Sequence, residues 1–125
     1  MKITWLHSDG KQSHFTDVEV PISQDGSQQR SALFEGDGAS FSEAHAAPAQ
    51  DFHNAPRRQF VVVLSGGMEV ETGDGAKRRF GPGELFLADD LTGQGHITRS
   101  FGPEPRQIML VPIGPEMDPS GWKRA

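Results

Sequence analysis

The chain has 125 residues, of which 12 are basic and 17 acidic, for a formal charge of −5. That length allows one domain, and an acidic balance without a basic block argues against nucleic acid or an anionic membrane as partner. With 15 glycines, 9 prolines and no cysteine, many short elements joined by turns are expected, and disulfides, thiolate metal sites and cysteine nucleophiles are excluded.

Strand signals follow one another along the chain. Residues 3–6 form a short apolar segment closed by Ser8-Asp9-Gly10. Residues 15–22 alternate, with Pro21 suiting an edge or strand end. Residues 31–34 read as a short strand stopped by Gly36-Asp37-Gly38, and residues 40–44 as a weaker one. The alanine-rich stretch 42–50 is interrupted by Pro48 and holds a short helical segment at most. Residues 59–65 carry the strongest signal: Val61, Val62 and Val63 bracketed by Phe60 and Leu64. Apolar on both faces, this strand should be covered on both sides. Phe60, Val62 and Leu64, opposite Gln59, need a second sheet or another subunit.

After Gly66-Gly67, residues 68–72 alternate cleanly, so one face is wet and Glu69 and Glu71 read as solvated. Gly73-Asp74-Gly75 turns the chain into a return strand over 77–80. Gly81-Pro82-Gly83 leads to a strand over 84–88, and a polar loop from Asp89 to Gly95 leads to another over 96–101. The last strand spans 107–113, and residues 114–125 read as a tail. The basic spots Arg57-Arg58 and Lys77-Arg78-Arg79 are flanked by turns and read as solvated strand ends. The expected fold class is all-β, a sandwich or barrel, because closure removes exposed edges.

No run of apolar residues exceeds five, at 60–64, where a membrane helix needs about 20. The N-terminus has no apolar stretch of signal-peptide length, so a cytoplasmic protein is expected. No dinucleotide fingerprint, phosphate loop or nucleophile elbow is present, so no nucleotide cofactor is expected.

Among five histidines, His53 and His96 stand out: one precedes the strongest strand, the other opens a strand after a glycine-rich loop. Period-two alternation puts Gln59, Val61 and Val63 on one face, and His96, Thr98 and Ser100 on one face. Two imidazoles and an amide can then converge at a barrel mouth. Arg57 shares the parity of Gln59 and either binds an anionic ligand or, because Pro56 disturbs the strand before it, lies at the rim or the surface. Trp5, Phe52 and Phe101 are candidates for lining the cavity or for the core. His7 and His14 read as surface residues, and His45 as a loop residue within possible reach of the pocket.

With these residues placed, the sequence resembles the cupin superfamily. His53-Asn54-Ala55, then Gln59, then Gly66 follow the frame of the first cupin motif, which has a second histidine and a glutamate where this chain has Ala55 and Gln59. Gly81-Pro82-Gly83, residues 84–88 and His96 follow the order of the second motif, with Ser100 at its asparagine position. The resemblance covers residues 52–113, within a single domain over 1–125. It implies a double-stranded β-helix, or jelly-roll barrel, acting as a homodimer. It also implies a barrel-mouth pocket for a small polar molecule, lined by Arg57, Val61 and Thr98. His53, Gln59 and His96 would hold a divalent Zn, Ni or Fe, with His45, Glu43 or Asp51 as further candidates. Such a centre suits a metal-assisted isomerase, lyase or oxygenase. The alternatives are a non-catalytic binding module, or a structural barrel in which the same three residues form a buried hydrogen-bonded cluster.

Overall fold

A computed structural model of the protein describes residues 1–45 and 50–125. Eleven strands run in chain order: β1 (Lys2–Ser8), β2 (Ser13–Glu19), β3 (Ser23–Asp25), β4 (Gln28–Arg30), β5 (Ser40–Ala44), β6 (Gln59–Ser65), β7 (Gly67–Thr72), β8 (Lys77–Phe80), β9 (Leu85–Asp89), β10 (His96–Phe101) and β11 (Arg106–Pro112). Among the described residues the only helical turn is a 3₁₀ turn at Pro119–Gly121, so the fold is all-β. No helix there is long and apolar enough to cross a membrane.

A six-stranded sheet has the order β2-β1-β9-β6-β11-β5, a three-stranded sheet the order β10-β7-β8, and β3-β4 form a separate hairpin. Among the described residues only β1 and β9 run parallel; the other pairs are antiparallel. The strands do not close into one hydrogen-bonded barrel, so the closure expected from the strand count is not seen among the described residues. The two larger sheets face each other instead. Leu6, Val61, Val63, Phe86, Ala88 and Ile108 from the large sheet meet Met68, Val70 and Phe80 from the small one.

The strongest strand is covered on both faces, as its composition requires. Its inner face packs on the small sheet. Its outer face meets a second apolar cluster, built on Ile3, Trp5, Val18, Leu87 and Met117, with Phe60 and Trp122 against it. Phe60 and the C-terminal Met117 and Trp122 thus share one apolar cluster, and residues 114–125 pack against the fold rather than trail from it as a tail. Arg58 ties that segment down. Its guanidinium donates to Asp89 Oδ1 at 2.8 Å, Gly114 O at 2.7 Å and Met117 O at 2.6 Å, so it is a structural clamp and not a solvated strand end. Leu64, outside this cluster, stays 48% exposed.

Residues 31–34 form no strand, while the hairpin β3-β4 just before them gave no apolar alternation because all six of its strand residues are exposed. Glu69 and Glu71 pair with Arg79 and Arg99 across the small sheet; their parity is the expected one, but they are ion-paired rather than freely solvated. Of the proposed helical stretch, residues 42–44 belong to β5 and residues 46–49 lie outside the described residues.

Candidate functional site

The inner faces of the sheets leave a cavity of about 360 Å³ at one end. His53, Gln59, Val61, His96 and Thr98 all line it, and His45 reaches its edge. Gln59 is buried, and Val61 follows it on the same strand face. Arg57 is exposed and does not line the cavity, contrary to expectation. The cause is local: Pro56 precedes it and β6 begins only at Gln59, so strand parity does not extend back to position 57. Trp5 belongs to the outer cluster, and Phe101 packs over Gly67 beneath Arg79. Neither they nor Phe52 line the cavity.

Two segments bring the histidines together. His53 and His96 form an isolated antiparallel bridge, each amide donating to the other's carbonyl at 3.0 and 2.9 Å. Direct opposition puts both side chains on one face, and their rings lie 4.7 Å apart, tilted by 55°. Gly95 makes the approach possible. Its φ is +81°, and a Cβ there would sit 2.1 Å from His53 O. Only glycine combines that backbone conformation with that proximity.

His96 is held from behind by Asp90, a residue that strand-by-strand reading missed. Asp90 is fully buried. Its Oδ2 lies 2.6 Å from His96 Nδ1 and accepts from Ser13 Oγ at 2.7 Å. A carboxylate only accepts, so the proton of this bond sits on Nδ1, and in the neutral imidazole the lone pair is then on Nε2. The Nδ1 of His53 is likewise next to an oxygen, Asp51 O at 3.2 Å. Neither Nε2 has a hydrogen-bond partner among the described residues. The signal for Asp90 was its parity: it continues the inward register of Phe86 and Ala88 past the end of β9.

The cavity is therefore lined by two imidazoles, each with an oxygen behind its Nδ1, and by the buried Gln59. This is the outer-shell pattern of metal-ligating histidines. No group of three or more His, Cys, Asp or Glu side chains suited to a metal occurs among the described residues. His45 is 75% exposed at its side chain and pairs with Glu104, Glu43 accepts from Gln107, and Asp51 is exposed. The described residues thus bring two imidazoles and the Gln59 side chain to one cavity, without a third His, Cys, Asp or Glu beside them.

His7 and His14 lie away from the cavity. His14 is at the surface beside Asp9. His7 is half-buried, stacked on Trp5 with centroids 3.9 Å apart, and its Nε2 lies 2.7 Å from Thr16 Oγ1. Burial, then the charges of His14 and Arg124, lower its pKa against the opposing pull of Asp89 and Asp9.

No protein-family model matches the sequence, and no curated protein matches it at a significant level. Among solved structures, a conserved protein of unknown function, SPY1581 from Streptococcus pyogenes, is similar to 90% of this chain over 82% of its own, with 17% identity and a TM-score of 0.45.

Proposed function

We propose that this protein is a small cupin-like domain whose cavity binds a small polar molecule, with the Nε2 atoms of His53 and His96 as its working groups. In this reading the two imidazoles and Gln59 hold a divalent Zn, Ni or Fe. Such a cation, when bound, polarises a ligand oxygen, the chemistry of a metal-assisted isomerase, lyase or oxygenase. The observation that carries the reading is the backing of each Nδ1 by an oxygen acceptor while both Nε2 atoms stay unpartnered at one cavity wall. The resemblance adds a cytoplasmic homodimer; apolar Leu64 and Phe41, 48% and 73% exposed, are consistent with a second subunit.

The test is metal analysis of the purified protein and after incubation with Zn²⁺, Ni²⁺ or Fe²⁺. Uptake of one equivalent per chain, lost in both His53→Ala and His96→Ala without loss of fold, is the expected result. Sub-stoichiometric metal that incubation leaves unchanged would overturn the metal centre. It would leave the second reading, a metal-free binding module, which the absence of a third His, Cys, Asp or Glu ligand among the described residues favours.

A further inference from the structure

The far end of the cavity carries a cation, Arg106, with no carboxylate partner among the described residues. Arg106 opens β11 and lines the cavity in register with Ile108 and Leu110. Its Nη1 donates to Ser100 Oγ at 2.9 Å. Its Nε is buried and has no hydrogen-bond partner among the described residues. Arg58, Arg78, Arg79 and Arg99 each sit against a carboxylate, respectively Asp89, Asp17, Glu69 and Glu71. Arg106 has no such partner among the described residues. A half-buried guanidinium without an anion is unfavourable and is found where something else supplies the charge. Burial alone accounts for the lowering of its pKa, with no opposing carboxylate.

Its position relative to the histidines sets the shape of the ligand. His96, Thr98 and Ser100 share one face of β10 and all line the cavity. Four residues of strand separate His96 from Ser100 by ~13 Å along the backbone. Between these ends the wall carries the apolar Val61, Met68, Phe86 and Ile108, with Thr98 as a polar group among them. The cavity thus has imidazoles at one end, a guanidinium at the other and a largely apolar wall between. One uncompensated guanidinium suits one negative charge, whereas a phosphate ester carries nearly two. Arg99 does not supply a second, because Glu71 accepts from it at 2.6 Å.

We propose that the cavity takes a small organic monocarboxylate, its anionic end held by Arg106 and Ser100 and its other end presented to His53 and His96. The proposal rests on the reading of this cavity as the functional site. A planar carboxylate matches the fork of the guanidinium, and the bond is charge-assisted.

The probes are benzoate and 4-hydroxybenzoate, each paired with its neutral amide, titrated by calorimetry into the parent protein and into Arg106→Gln, Arg106→Lys and His96→Ala. Circular dichroism and thermal melting confirm that each variant is folded. The expected result is millimolar or tighter binding of the acids but not the amides, weakened less in His96→Ala than in Arg106→Gln. Arg106→Gln should weaken it at least about tenfold, with Arg106→Lys, which keeps the charge but not the fork, in between. Binding that is lost in His96→Ala but unchanged in Arg106→Gln overturns the proposal and leaves the cavity reading standing. So does equal binding of acids and amides. No binding of either acid to the parent protein at millimolar concentration also overturns it.

Discussion

Removing the Asp90 carboxylate tests how His96 is oriented. Asp90→Ala deletes two hydrogen bonds, at 2.6 Å to His96 and 2.7 Å to Ser13, from a side chain with no exposed surface. Bonds to a charged group contribute about 1.5–3 kcal/mol each, or roughly 3–6 kcal/mol together. Part of this is offset. Asp90 Oδ1 has no partner among the described residues, so deleting the charge also relieves an incompletely repaid desolvation. A net loss of about 2–4 kcal/mol is expected, read by urea unfolding. Asp90→Asn keeps the shape and an acceptor oxygen and should cost about 1 kcal/mol. Its effect should fall on the site instead: affinity for Zn²⁺ drops about 10–100-fold, as outer-shell changes do. An Asp90→Ala variant as stable as the parent, or an Asp90→Asn variant with unaltered Zn²⁺ affinity, would refute the argument that this carboxylate positions the imidazole.

Gly95→Ala should cost about 3 kcal/mol in the same assay, combining left-handed backbone strain with loss of the reciprocal His53–His96 bonds; a loss under about 1 kcal/mol contradicts the contact geometry. Arg58→Met removes three bonds to Asp89, Gly114 and Met117 and should cost about 2–4 kcal/mol. Limited proteolysis should then cut after position 114 faster than in the parent, and an unchanged digestion pattern counts against the clamp. His7 has a folded pKa below the ordinary histidine value of 6.5, so the unfolded chain takes up that proton first. Its contribution is fully present above pH 6.5 and is lost as pH falls toward the folded value. His7→Gln, which can still bond Thr16, should flatten the decline of stability below pH 6.5, and equal slopes in the two proteins would contradict this. Light scattering at micromolar concentration should give a dimer, against which a monomer would count.

Much of the fold was legible because strand alternation and turn residues are local signals. Residues 59–65, 77–80 and 96–101 read as strands with the bounds that β6, β8 and β10 have. What stayed hidden depended on contacts distant in sequence. Arg58 looks like any charged strand flank until Gly114 and Met117 arrive beside it. The C-terminal segment has too little apolar character to announce that Met117 is buried. The hairpin β3-β4 is polar on both faces, so no alternation marks it. In the cavity, His53, Gln59 and His96 were readable from spacing, whereas for Arg57 strand parity pointed inward and Pro56 outward, and the outward reading holds because β6 begins only at Gln59. Asp90 and Arg106 were readable in principle, since each extends an inward register, Phe86 and Ala88 in one case, Ile108 and Leu110 in the other. They were missed because a charged residue at a strand end ordinarily faces water.

The pairing of the two histidines is tested most directly by long-range ¹H–¹⁵N spectra of the imidazoles as one equivalent of Zn²⁺ is added. Before addition, His96 should be the tautomer protonated at Nδ1. On addition, the Nε2 signals of His53 and His96 should move together to metal-bound positions, with His96 Nδ1 still protonated. If both imidazoles keep their free signals, or if only exposed His14 and His45 respond, His53 and His96 do not form the centre described.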